Sequence, residues 1–199
     1  AISPDHQRLA YAIDTQGREK YTLYIKDLQS GKQLKDKITP IVRDVEWGND
    51  NETLFYITMD KAHRPHRIYR HILGTSSEKD ELLYEEKDKK FNVGIWKSRS
   101  EKFVFAYSAS TLTTEIRFID ANKPQGSFRV ISPRHQGMEY WPAHDKNRFL
   151  IITNDCDDKT GKHISCAQNN KLMTAALQST SRSQWKEVIA HREKVQLSN

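Results

Sequence analysis

An all-β chain built from repeated four-stranded sheets is predicted by three observations. Short apolar strands recur at intervals of 45 to 49 residues, each opened by a turn rich in Asn, Asp and Ser. A second set of strands recurs nearly in phase with the first. No segment carries a 3.6-residue apolar stripe beyond about three turns, so packed helices are not expected. A period of about 40–50 residues with four strands per unit is the signature of a β-propeller. The expectation is a partial propeller of about four four-stranded blades; the rival is a generic β-sandwich with coincidental spacing.

The unit is clearest between Val45 and Glu86. Val45 to Glu52 holds a first strand and the turn Asn49-Asp50-Asn51. Thr53 to Asp60 holds the second strand, Arg67 to Gly74 the third and Glu81 to Glu86 the fourth. The second strand of each unit is anchored at Leu9, Leu54, Phe103 and Phe149, at intervals of 45, 49 and 46 residues. The third is anchored at Leu23, Ile68, Ile116 and Leu172, at intervals of 45, 48 and 56. Two independent sets agree on the period, apart from one insertion before Leu172. The strands are β-branched and aromatic and apolar on consecutive positions, as suits strands covered on both faces.

The blade-like units fall at about 1–44, 45–90, 91–138 and 139–190, with 191–199 opening a further blade. Ala1-Ile2 reads as the tail of a first strand, and Lys194-Val195-Gln196-Leu197 as the first strand of a fifth unit. The chain therefore reads as an arc cut out of a larger protein, beginning inside a repeat. Such an arc presents open stacking faces, and self-association is expected.

At 199 residues the chain can bury a sizeable core. Its longest strictly apolar run, Phe103 to Tyr107, is far short of the ~20 residues a membrane helix needs, and the residues from Ala1 onward do not read as the basic-then-apolar start of a signal peptide. The net charge is +6 and the pI about 9.2, but 32 Lys and Arg are interspersed with 26 Asp and Glu. That pattern favours a mixed solvated surface over a nucleic-acid face. Two cysteines, Cys156 and Cys166, are too few for a disulfide scaffold and suit a reducing compartment or one local bridge.

Several stretches resemble a known family. Ser3-Pro4-Asp5, Leu9-Ala10-Tyr11, Asp14-Thr15-Gln16-Gly17 and Tyr21-Thr22-Leu23 are similar to the propeller opening of oligopeptidase B-type enzymes, serine peptidases of the prolyl oligopeptidase family. The most specific stretch runs from Arg64-Pro65 through Arg70-His71 to Gly74-Thr75. The similarity continues at Tyr84-Glu85-Glu86-Lys87-Asp88, Phe91, Val93-Gly94, Ser132-Pro133-Arg134, Trp185 and His191-Arg192-Glu193. The resemblance implies a seven-bladed propeller capping an α/β-hydrolase domain. It also implies that the propeller admits only short peptides, which the hydrolase domain cleaves after Arg or Lys with a Ser-His-Asp triad. No two of the eight glycines frame a serine as Gly-x-Ser-x-Gly, so no catalytic residue is assigned to this chain.

The residues offer few rival chemistries. In the stretch from Cys156 to Cys166, two sulfurs ten residues apart with His163 between match no zinc pattern, and Asp155, Asp157 and Asp158 lack the Gly of a calcium loop. Two free thiols or a disulfide across a hairpin insertion remain, and no metal or cofactor is expected. The segment Lys61 to His71 carries four fixed positive charges and three histidines, which suit either an anion-binding patch or strand alternation with paired arginines. His6, His135, His144, His163 and His191 lie at turns or strand ends with no nucleophile motif to serve. Trp47, Trp96, Trp141 and Trp185 fall near repeat positions and read as packing residues.

The leading expectation is a non-catalytic propeller that gates a hydrolase domain of the parent chain, with short basic peptides as substrates. A chain of net charge +6 does not itself attract such peptides, so acidic steering must come from local surface or from that domain. The alternative is a stand-alone protein-binding propeller without enzymatic activity. Neither reading involves nucleic acid or a membrane, and the cytoplasm is expected over the periplasm.

Overall fold

A computed structural model describes residues 1–42, 44–155 and 167–198. The first sheet holds β1 (Arg8–Ile13), β2 (Tyr21–Asp27) and β3 (Gln33–Ile41), in that order. The second holds β4 (Val45–Trp47), β5 (Thr53–Met59), β6 (Pro65–Ile72) and β7 (Glu81–Glu85). The third holds β8 (Asn92–Lys97), β9 (Phe103–Ala109), β10 (Thr114–Asp120) and β11 (Arg129–Val130). The fourth holds β12 (Tyr140–Asp145), β13 (Arg148–Thr153), β14 (Lys171–Ala176) and β15 (Lys186–Ile189). Each sheet is an antiparallel meander of sequential strands, as in a propeller blade. Among the described residues the helical structure is two 3₁₀ turns, Ser77–Lys79 and Arg182–Gln184. No helix there is long and apolar enough to cross a membrane.

All eight anchor residues lie in the strands they were read to mark. The first sheet has three strands, and its fourth is reduced to a bridge between Ile2 and Leu9, held by backbone bonds between Ala1 and Ala10. At the other end, residues 194–197 contribute a bridge between Arg192 and Val195 and one bond from Leu197 N to Asn169 O.

The repeat is also written in the backbone. The turn before each second strand holds one residue in the left-handed region: His6 at φ 59°, Asn51 at 62°, Glu101 at 57° and Lys146 at 55°. The same closing bond recurs in three blades, from Ser3 N to Arg8 O, Gly48 N to Thr53 O and Ser98 N to Phe103 O. The side chains of Ser3, Asp50 and Ser98 accept the next strand's first amide, from Arg8, Thr53 and Phe103. Short polar side chains that compete for backbone donors explain why Ser and Asp punctuate the repeat.

Three apolar clusters fill the three junctions between sheets. Leu23, Ile25, Ile38 and Ile41 of the first sheet meet Trp47, Leu54 and Tyr56 of the second. Phe55, Ile57 and Ile68 of the second meet Val93, Ile95, Val104 and Ala106 of the third. Phe103, Phe105, Ile116 and Phe118 of the third meet Tyr140, Phe149, Ile151 and Met173 of the fourth. Successive residues of β5 and β9 therefore belong to opposite junctions, which is why both strands are apolar without alternation. In the third junction the Phe149 ring lies 5.0 Å from Phe118 and 5.5 Å from Phe103, both edge-on, the favoured arrangement of aromatic quadrupoles. Tyr140, fully buried, accepts from Ile116 N at 2.8 Å and donates to Ser132 O at 2.5 Å, stapling the two sheets through its hydroxyl.

Candidate functional site

The polar residues that could carry function cluster where one sheet hands the chain to the next. Strand β6 shows how they are placed. Its alternation sends Arg67, Tyr69 and His71 to one side and His66, Ile68 and Arg70 to the other. Arg70 donates to the carbonyls of Pro124 and Gly126 at 2.7 and 2.8 Å and pairs with Glu81. Arg67 pairs with Glu85 at 2.8 Å. Arg64 pairs with Asp60 at 3.1 Å and donates to the carbonyls of Glu86, Asp88 and Phe91. The three arginines of the segment Lys61 to His71 are thus engaged within the fold, as strand alternation with paired arginines requires. Lys61 and His63 remain exposed beside Lys89 and Asn92 in an open cleft.

A second cluster centres on Glu86, where the chain leaves the second sheet. Glu86 is 4% exposed and accepts four hydrogen bonds: from Arg134 Nη2 at 2.5 Å, Tyr84 OH at 2.7 Å, Asp88 N at 2.9 Å and the Ser108 hydroxyl. Burial opposes its charge, but these donors prevail and hold its pKa at about 2. Arg134 also receives Glu115, whose Oε2 accepts Arg134 N at 3.0 Å, and its guanidinium lies 4.1 Å from the Phe91 ring centroid. Glu115 pairs with Arg117 at 2.5 Å, and Arg117 stacks 3.8 Å from the Tyr84 ring centroid. Two carboxylates and two guanidiniums thereby join the second sheet, the third sheet and the connection into the fourth.

A third cluster, Asp36, His71 and Asp80, lies between the first and second sheets. His71 Nδ1 is 2.7 Å from Asp80 Oδ1 and Nε2 is 3.1 Å from Asp36 Oδ1. The three side chains are 1%, 4% and 2% exposed for His71, Asp36 and Asp80.

The remaining histidines have structural surroundings or none. His144 Nδ1 faces Ser100 Oγ at 2.7 Å and Nε2 faces Lys146 O at 2.6 Å, so the imidazole ties two exposed turns together. Its ring nitrogens face a hydroxyl and a carbonyl, and Asp145 pairs with Arg148 instead of forming a dyad with His144. His6 sits at its left-handed turn position. His135 O closes a turn with Met138 N, and His191 Nε2 is buried without a hydrogen bond. Trp47 and Trp185 are buried, with indole N–H groups on Ala1 O and Thr180 O. Trp96 and Trp141 pack half-buried, 6.1 Å apart, beside Tyr107. Cys156, Cys166 and His163 lie outside the described residues, so the disulfide expectation and the insertion around it do too. Among the described residues, no group of three or more His, Cys, Asp or Glu has the arrangement of a metal site.

Charge pairing across sheets was invisible along the chain. Glu86 and Arg134 both stood within stretches that carried the family resemblance, but nothing in their 48-residue separation marked them as partners. No nucleophile, base and orienting acid converge among the described residues; what the polar clusters do is hold blades in register.

Comparison with known proteins agrees with this geometry. Residues 1–199 match the family described as prolyl oligopeptidase, N-terminal beta-propeller domain. The chain is 39% identical over 195 residues to dipeptidyl aminopeptidase BI of Pseudoxanthomonas mexicana, covering 98% of this chain and 26% of that protein. It is 40% identical over 156 residues to protease 2 of Moraxella lacunata, covering 77% of this chain and 23% of that protein. Oligopeptidase B from Leishmania major superposes with a TM-score of 0.83 at 28% identity, over 96% of this chain and 26% of that one. Oligopeptidase B from Trypanosoma brucei gives the same TM-score and identity over 100% of this chain and 26% of its own. The chain spans about a quarter of the length of these relatives. It belongs to the prolyl oligopeptidase family of serine peptidases, as a stretch of the N-terminal β-propeller domain.

Proposed function

We propose that this chain is the non-catalytic gating part of an oligopeptidase B-like serine peptidase. It size-selects short peptides for cleavage after Arg or Lys by a hydrolase domain elsewhere in the parent protein. The observation that carries this reading is the likeness to oligopeptidase B over nearly the whole chain, at a TM-score of 0.83. The physical rationale is steric: a passage bounded by rigid sheets admits an extended peptide and excludes a folded domain. Expressed by itself, the chain is expected to self-associate through its two unpaired blade faces. These carry Tyr11 and Tyr24 on the first sheet and Leu150, Ile152 and Leu172 on the fourth. A monodisperse monomer in sedimentation overturns that part.

The test is hydrolysis by the parent protein of a length series of peptides with one internal Arg, alongside the same sequence embedded in a folded protein. Cleavage after Arg that falls steeply with length and vanishes in the folded host supports the proposal. Equal cleavage of the folded host refutes gating, and no hydrolysis at all favours the stand-alone binding propeller. One observation favours a second reading: the 39% identical relative is named a dipeptidyl aminopeptidase. On that reading the parent protein removes dipeptides from free amino termini, and acetylating the peptide's amino terminus abolishes cleavage.

A further inference from the structure

We infer that Asp36, His71 and Asp80 form a proton-dependent latch between the first two sheets, closed while the imidazole is protonated and loosened when it is not. A neutral imidazole has one N–H and one lone pair, whereas an imidazolium has two N–H groups. Both ring nitrogens of His71 face carboxylate oxygens, at 2.7 and 3.1 Å. Those carboxylates also serve other donors. Asp36 Oδ1 accepts Gly74 N at 2.5 Å, and Asp80 Oδ2 accepts Tyr56 OH at 2.9 Å. Both acids are therefore arranged as acceptors, and only an imidazolium supplies a proton to each.

The latch spans the junction. Asp36 belongs to β3 of the first sheet, while His71 lies next to the last residue of β6 and Asp80 precedes β7 of the second. Deprotonation leaves a nitrogen lone pair against a carboxylate oxygen in a site where all three side chains are at least 96% covered. Repulsion in such a site is poorly screened.

Other charged groups on the packed elements do not take the proton's place. On β6, Arg67 and Arg70 are held by Glu85 and Glu81. On β3, Lys37 lies over the Tyr24 ring on the far side of the sheet, and Lys35 is exposed at the mouth of the cleft above Asp36. Glu78 and Lys79, in the 3₁₀ turn before Asp80, are exposed. Tyr56 of β5 and Tyr69 of β6 stack on each other, and burial raises the Tyr56 phenol further, so it stays neutral. For His71 itself, burial disfavours the charge, but hydrogen bonds to Asp80 and Asp36 outweigh it and leave the pKa raised. A raised folded-state pKa means the stabilisation is complete below about pH 6.5, the unfolded value, and is lost as pH rises through the folded value.

The test uses the full chain labelled with ¹³C,¹⁵N-histidine, with the His71 signal identified by its loss in His71→Gln. The latch requires both His71 ring nitrogens to be protonated at pH 7, with a midpoint above the ordinary histidine value. It also requires amide-exchange protection of residues 33–41, corrected for intrinsic rate, to fall about tenfold or more through that midpoint, a fall absent in His71→Gln. A neutral His71 at pH 7, or an equal fall in the variant, overturns the inference. If His71→Gln does not fold, Asp36→Asn serves instead: the latch requires a lower His71 midpoint in that variant, and an unchanged midpoint overturns it.

Discussion

Arg134 Nη2 lies 2.5 Å from Glu86 Oε2, across 48 residues of chain and the whole of the third sheet. The pair ties the point where the chain leaves the second sheet to the point where it enters the fourth. Because Glu86 also receives Tyr84, Ser108 and an amide, the carboxylate is fully satisfied in a buried place. The geometry makes one residue's loss expensive for its neighbours.

Replacing Arg134 with Met removes the cation but leaves Glu86 buried, the costly way to break an ion pair. Loss of about 3–5 kcal/mol is expected in urea unfolding. Adding Glu86→Gln should recover part of that loss, since the uncompensated charge goes with it. A double variant no better than Arg134→Met counts against the pair as the main tie.

Acid should release the same tie. The Glu86 pKa is lowered to about 2, so its contribution is present above the unfolded glutamate value and lost as pH falls through the folded one. Stability measured between about pH 4.5 and pH 2 should therefore fall with acidification. In Glu86→Gln the slope over that window should be shallower, and an unchanged slope assigns the acid sensitivity elsewhere.

Gly94 sits beneath the Tyr107 ring, where a Cβ would lie 2.1 Å from Cε1. Gly94→Ala is expected to cost about 1–3 kcal/mol, the range for forcing atoms into a packed junction. The same substitution in a Tyr107→Leu background should cost less, and calorimetry of the four proteins measures the difference.

Glu101 and Lys146 occupy left-handed turn positions that glycine adopts freely. Glu101→Gly and Lys146→Gly are each expected to leave stability unchanged or raise it by up to about 1 kcal/mol, as relief of backbone strain offsets glycine's entropy. Destabilisation by more than that at both sites would mean the side chains themselves hold the turns.

The sequence by itself determined the repeat and therefore the blades. Leu54, Phe103 and Phe149 mark second strands because the same chemistry, a polar turn followed by a doubly covered apolar strand, recurs at nearly constant spacing. Local rules of that kind act within a few residues and are written along the chain. The turn residues were legible for the same reason, although only His6 and Asn51 among the four left-handed positions are of types enriched in that backbone region. The segment Lys61 to His71 was readable as far as its alternation, which follows from a period of two. Which acid meets which base was decided by stacking. Glu86 finds Arg134, and His71 finds Asp36, only after separate sheets are brought face to face. Coulomb attraction and hydrogen bonds act through space, and no spacing along a strand encodes a partner 35 or 48 residues away.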